Sequence, residues 1–177
     1  MTALVQLDEY RHAVLALEMA LEQLERVDDD PRRWAWALVS LHNALQGAMV
    51  LALKGSGAAT VTTVPGRYLD RFLDLWEKVK APDPMLRGPD SRVLQPTEDQ
   101  ESSVRWLNAW RDRFVHYRPG ATTLDTVNPP WRVVEIAGVI DWLLEESGNV
   151  AFPDPELEAR AARLVEALRW EAEAMMR

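Results

Sequence analysis

The stretch that decides the fold covers residues 31–55 and reads PRRWAWALVSLHNALQGAMVLALKG. Its apolar side chains recur at helical spacing and cover most sides of the helix, which predicts a buried element at the centre of a bundle. Asp30 is a suitable N-cap, Pro31 suits the first helical position, and Gly55 is a helix-ending residue. We therefore expect a central helix over residues 31–54.

The rest of the chain shows the same helical spacing, while the alternation typical of strands hardly appears. Thr97 and Gln100 form a capping box, which marks the start of one of these helices. No internal repeat or domain boundary is visible, so residues 1–177 are predicted to form a single all-α domain, an up-and-down bundle of about six helices. The other predicted helices cover residues 3–27, 67–80, 97–117, 130–146 and 155–176.

Composition limits the classes of protein that are compatible with the chain. The sequence contains no cysteine, which excludes disulfides, thiolate catalysis and cysteine zinc sites. Charged residues interrupt the apolar N-terminal segment, so it resembles neither a signal peptide nor a membrane span, and we expect a cytoplasmic protein without a membrane partner. A net charge of −8 is not typical of non-specific nucleic-acid binders, although residues 105–118 hold four arginines against the single Asp112.

The histidines and tryptophans each admit a functional and a structural interpretation. His12, His42 and His116 fall on three different predicted helices and could converge on a metal. No helix carries a His/His or Glu-x-x-His pair, so we predict no metal site, a surface position for His12, and a hydrogen-bonded interior or interface position for His42. The eight tryptophans could stack on bases, but their helical placement favours core and interface packing.

The end of the helix over residues 97–117 concentrates ionisable side chains, because residues 111–120 read RDRFVHYRPG. Cations near a helix C-terminus interact favourably with the exposed carbonyls and the dipole, which could explain Arg113, His116 and Arg118. Arg111, however, lies on the apolar stripe of the helix, where a charged group needs a partner or a function. Arginine stays charged and histidine titrates near pH 7, so Arg111 and His116 are suited to phosphoryl chemistry.

Residues 111–116, Arg-Asp-Arg-Phe-Val-His, resemble the R-x4-6-H signature of the HEPN (higher eukaryotes and prokaryotes nucleotide-binding) superfamily. A polar residue commonly follows the arginine in that family, as Asp112 does here, and the motif lies near the end of a late helix. The resemblance implies an all-α homodimer in which two motifs face each other. In active members this cleft is a metal-independent RNase site that needs no cofactor.

Carried onto this chain, the resemblance assigns a role to each residue of the motif. His116 would be the general base on the ribose 2′-hydroxyl, Arg111 would stabilise charge on the phosphorus, and Asp112 would orient one of them. Substrate contacts would come from the neighbouring Arg113, Tyr117 and Arg118. The product would be a 2′,3′-cyclic phosphate, and the partners implied are RNA and a cognate antitoxin or regulatory protein.

Two questions stay open from the residues. Five positions along an ideal helix turn by about 140°, so Arg111 and His116 converge only if the last turn loosens or both reach sideways. Arg113 is a rival partner, because it lies three residues before His116 on the same face. In toxin members a tyrosine often lies two residues after the histidine, but that position is Arg118 here.

The sequence thus leads to two hypotheses on function. The first is an endoribonuclease that acts as a toxin or defence effector. The second is a non-catalytic helical dimerisation or binding module that retains the signature for structure. The connection over residues 82–96 is long and rich in proline, which indicates a mobile or functional segment, and we expect it to line the cleft.

Overall fold

The computed structural model of the chain describes residues 7–55, 60–64, 68–116 and 120–177. It confirms the all-α prediction, since a two-stranded antiparallel sheet, β1 (Thr62–Val64) and β2 (Tyr68–Leu69), is the only sheet within these ranges. A 3-10 turn, Pro31–Arg33, precedes the second helix, and a π-helical turn, Trp142–Glu146, extends the sixth. The helices are α1 (Glu9–Leu24), α2 (Trp34–Lys54), α3 (Phe72–Val79), α4 (Pro82–Met85), α5 (Glu98–Val115), α6 (Pro129–Asp141) and α7 (Pro155–Ala174).

The central position predicted for α2 is confirmed. The helix packs against α1, α3, α5 and α6, and its buried side chains cover most of its circumference. Gly47 lets α1 approach closely, because a Cβ at that position would lie 2.8 Å from the Cβ of Ala13. By length and composition Pro31–Lys54 could cross a membrane, but most of this stretch is buried against the neighbouring helices of the bundle.

The start of the predicted third helix is wrong. Instead of continuing a helix, Tyr68–Leu69 pairs with Thr62–Val64 in the hairpin, and α3 begins only at Phe72. Residues 61–64 are all β-branched, which favours extended backbone. Asp70 then fixes the end of the hairpin, because its carboxylate accepts hydrogen bonds from Thr63 Oγ1 at 2.9 Å and from Lys78 Nζ at 2.5 Å.

A polar network fastens the end of α3 to the start of α5. The Glu101 carboxylate accepts hydrogen bonds from Trp76 Nε1 at 2.8 Å and Lys80 Nζ at 3.0 Å, and it forms an ion pair with Arg105 at 2.6 Å. Burial raises the pKa of the Glu101 carboxyl, but these three partners outweigh burial and hold that pKa below its usual range. The predicted capping box at Thr97 is confirmed immediately before this network.

The connection over residues 82–96 packs against the segment that follows α6. Asn149 Nδ2 donates to the carbonyl of Met85 at 2.9 Å, and Ser91 Oγ donates to Asn149 Oδ1 at 2.7 Å. The backbone N–H of Arg92 donates to the carbonyl of Ser147 at 2.9 Å. These bonds hold the connection at the end of α6.

Gly148, at this junction, is the position where substitution is expected to be most costly. Its φ is +69°, and an added Cβ would lie 2.7 Å from the carbonyl carbon of Asp90. We expect Gly148→Ala to lower the free energy of unfolding by about 3 kcal/mol, because strain and overlap both involve backbone. Urea unfolding should show a much smaller change for Gly88→Ala, whose Cβ would meet only Ser91 Oγ, at 3.5 Å. Equal effects of the two substitutions would contradict this explanation.

Candidate active-site cleft

The C-terminal half of α5 forms one wall of an open cleft of about 590 Å³, which we call the Arg111 cleft. Helix α2 forms a second wall, and the segment from the end of the hairpin into the first turn of α3 forms the third. All three elements meet here because α2 is the common packing partner of α3 and α5. The cleft is lined by His42, Gln46, Asp70, Arg71, Phe72, Leu73, Asp74, Asn108, Arg111, Asp112 and His116.

Arg111 lies at the border between the core and the cleft, as its place on the apolar stripe predicts. Its side chain is 29% exposed, and Nη1 donates to Asp112 Oδ1 at 3.0 Å. The Nε atom is buried and has no hydrogen-bond partner among the described residues. A buried donor without a partner is unfavourable, so the position of Arg111 is energetically costly, and the exposed part of its side chain is what a ligand in the cleft could contact.

Helix α5 ends at His116, and two residues that diverge on an ideal helix, Arg111 and His116, both line the Arg111 cleft. His116 is the C-cap residue, with φ −98° and ψ 69°, and its backbone N–H still bonds the carbonyl of Asp112 at 2.9 Å. Its exposed side chain lines the Arg111 cleft and also a neighbouring cavity of about 610 Å³. Both residues therefore reach one cleft although α5 stays helical up to Val115.

Arg113 lies on the other side of His116. Its guanidinium carbon is 4.8 Å from the centre of the Trp110 ring, and the residue lines the neighbouring cavity with residues 121–123. Arg111, rather than Arg113, therefore shares a cleft with both His116 and His42. Tyr117 and Arg118, the other expected substrate contacts, lie outside the described residues.

His42 is the buried member of the cleft, with 2% of its surface exposed. Its Nε2 lies 3.2 Å from Asn108 Oδ1, and its ring stacks on Phe72 at 3.9 Å. Since an amide oxygen only accepts, Nε2 donates and Nδ1 carries the lone pair. Nδ1 is buried and has no hydrogen bond in acceptable geometry among the described residues, although the Asn43 side chain is near. The predicted hydrogen-bonded interior position is confirmed.

The environment of His42 keeps its ring uncharged at neutral pH. Burial lowers the pKa of His42 to about 4, which outweighs the opposing effect of the Asn108 hydrogen bond. The positive charge of Arg111 lowers it further, while Asp112 raises it. The cleft therefore contains one neutral buried imidazole and, at its exposed edge, the second imidazole of His116.

Sequence reasoning missed the neighbours of the motif. Asn108 could have been found, because it precedes Arg111 by three residues and shares its helix face. His42 carried a weaker signal, as the only ionisable residue between positions 34 and 53. The wall formed by residues 70–74 had no local signal, since it depends on the hairpin that the pattern did not predict.

Residues 82–96 do not line the cleft, contrary to expectation, because their hydrogen bonds hold them against the segment after α6. His12 lines a different cavity, beside Val50 and Leu69. Within the described ranges, no group of three or more histidine, aspartate or glutamate side chains could hold a metal ion.

Comparison with protein-family models, curated proteins and solved structures finds no match for the chain. The resemblance at residues 111–116 therefore stays an expectation, and function must be argued from the cleft.

Proposed function

We propose that the protein is a metal-independent endoribonuclease of the HEPN type, with Arg111 and His116 as its catalytic residues. The observation that carries the proposal is their position on one cleft, beside a donor nitrogen of Arg111 that has no partner among the described residues. A fixed cation and an imidazole that can move a proton, both on one cleft, form a combination suited to phosphodiester cleavage.

In the proposed reaction, His116 removes the proton from a ribose 2′-hydroxyl, and the 2′-oxygen attacks the adjacent phosphorus. The bond from phosphorus to the 5′-oxygen breaks, and that oxygen takes up a proton. The products are a 2′,3′-cyclic phosphate and a 5′-hydroxyl end. The Arg111 guanidinium binds the phosphoryl oxygens as negative charge grows on them, and Asp112 holds the guanidinium in place.

A homodimer in the cytoplasm is part of this proposal, as is an antitoxin or regulatory partner. Large apolar side chains on α1 and α2 support an interface, since Leu15 and Met19 are exposed and Trp36 is 66% exposed. Apolar groups of this size that neighbour one another on a surface often mark protein contacts.

A second candidate function, a non-catalytic dimerisation or binding module, is favoured by the charges at the cleft. Asp112 already neutralises Arg111, and Asp70 and Asp74 line the opposite wall. These carboxylates, together with the net charge of −8, weaken the attraction for long RNA.

Incubation of end-labelled tRNA and an mRNA fragment with the purified protein in EDTA tests the proposal. We expect cleavage that resists EDTA and leaves 2′,3′-cyclic phosphate ends, because the 2′-hydroxyl is the nucleophile. RNA in which every 2′-hydroxyl is methylated is the matched control and should stay intact. Absence of cleavage by a folded dimer across low and high salt would leave the binding module as the better proposal.

A further inference from the structure

The outer face of α5 carries a stripe of side chains that leads directly to His116. The positions are spaced three or four residues apart, so they share one face of the helix. Most are exposed and Trp106 is half-buried. Fourteen residues of helix span about 21 Å, enough for a few nucleotides of an extended strand. We call this surface the α5 stripe, and it consists of Ser102, Trp106, Ala109, Arg113 and His116.

Two arginines lie within cation–π distance of aromatic rings at the stripe. Arg132, from α6, has its guanidinium carbon 5.2 Å from the ring centre of Trp106 and 4.5 Å from that of Trp131. Arg113 lies 4.8 Å from the ring centre of Trp110. A cation–π contact of this kind helps to position a guanidinium and still leaves N–H groups that can bind oxygen.

Arg113 of α5 and Arg132 of α6 differ from the remaining arginines of α5. Arg105 is paired with Glu77 and Glu101, and Arg111 is paired with Asp112. In the parts of the chain that the structure describes, no carboxylate forms an ion pair with Arg113 or with Arg132.

The partners of Arg132 are few for a half-buried cation. Its Nη1 donates to Ser102 Oγ at 3.1 Å, and its Nε is buried with no hydrogen-bond partner among the described residues. The stripe thus offers Arg113, with Arg132 of α6 beside it, as two cations without an ion pair among the described residues, although the charge of Asp99 also acts on Arg132. Two such cations complement the charge of two phosphates.

We propose that the α5 stripe binds the single-stranded RNA that flanks the scissile phosphate, with Arg113 and Arg132 on phosphates and bases stacked on the planes around Trp106 and Trp131. The link to cleavage rests on the proposed function. His116 joins the two surfaces, because it lines both the Arg111 cleft and the cavity that contains Arg113. A strand that leaves the scissile phosphate therefore meets Arg113 next.

The chemistry of the stripe selects unpaired RNA over duplex. Indole rings and guanidinium planes bind the flat faces of bases, which a duplex hides inside its own stack. A number of phosphate contacts as small as two is compatible with an acidic chain. It predicts that RNA binding depends only weakly on the salt concentration. Each phosphate contact contributes about −0.7 to the slope of log K against log salt concentration, so two contacts give a slope of about −1.4. The association constant K should then fall about 25-fold when the salt concentration rises tenfold.

The test uses a fluorescent 2′-O-methyl RNA of ten nucleotides, which binds but cannot be cut because its nucleophile is blocked. Anisotropy should show tighter binding by Ala109→Lys, with a slope near −2.1, and weaker binding by Ala109→Glu. Ala109 is exposed in the middle of the stripe, and both replacements are good helix formers. Ala159→Lys and Ala159→Glu, at an exposed position of α7, are matched controls and should bind like the wild type.

Two further variants address the cations themselves. Arg113→Gln and Arg132→Gln should each reduce the slope to about −0.7, because each removes one phosphate contact. If circular dichroism shows that Arg132→Gln is unfolded, the two Ala109 variants still test the proposal.

Unchanged binding in both Ala109 variants would overturn the proposal, as would equal affinity for the same strand paired in a duplex. The two proposals fail separately in these assays. If the wild type cleaves RNA but both Ala109 variants bind RNA as the wild type does, the proposal for the α5 stripe is refuted and the nuclease proposal is not. If RNA binding changes with the charge at position 109 but the wild type cleaves no RNA, the nuclease proposal is refuted and the proposal for the α5 stripe is not.

Discussion

His116→Ala is expected to cleave RNA about 1,000-fold more slowly than the wild type, because it removes the proposed general base. Arg111→Ala should lose about 100- to 1,000-fold, since it removes the cation proposed to stabilise the charge on the phosphoryl oxygens. Both losses should appear in the single-turnover rate constant of cleavage, measured with excess protein. Arg169→Ala, at an exposed position of α7, is the control and should keep the wild-type rate.

Arg111→Lys separates charge from geometry in the same assay. Lysine keeps the positive charge but lacks both the fork that pairs with Asp112 and the buried Nε–H. We expect most of the loss seen in Arg111→Ala to persist. Full activity of Arg111→Lys would show that a point charge at this position is sufficient for cleavage. Full activity of His116→Ala would exclude His116 as the general base.

Acid should destabilise the fold through His42. The pKa of His42 is about 4 in the folded protein against 6.5 in an unfolded chain, so between these values the unfolded state binds a proton that the folded state does not. The stabilisation is complete above pH 6.5 and is lost as the pH falls towards 4. The loss over this window should be about 3 kcal/mol in free energy of unfolding.

Urea unfolding of wild type and His42→Gln at pH 4, 5, 6 and 7 measures this contribution as the difference between the two proteins. Both share the same carboxylates, so the pH dependence of those groups cancels in the difference. His12→Gln, at an exposed position, should follow the wild type. Parallel curves for wild type and His42→Gln would contradict the assignment, and an NMR titration of the imidazole gives an independent check.

The sequence predicted those features that depend on local spacing. The central helix, the capping box at Thr97 and the half-buried position of Arg111 all follow from side chains within a few turns of one helix. The hairpin was missed because its two strands are short and show no long alternation. His42 and Asn108 are 66 positions apart, and no periodicity brings such residues together, so the neutral imidazole of the cleft became visible only in the fold.

The polar network at Glu101 has a mechanical consequence for the cleft. It joins α3 to α5 at one end, whereas at the other end His42 touches both Phe72 of α3 and Asn108 of α5. Charging the His42 ring makes its burial unfavourable, so the ring is expected to leave this buried position, whereas the first attachment stays intact. Helices α3 and α5 are then expected to separate by rotation about a hinge at Glu101. The cleft would widen as a wedge, and its width at Arg111 would increase with the angle between the two helices.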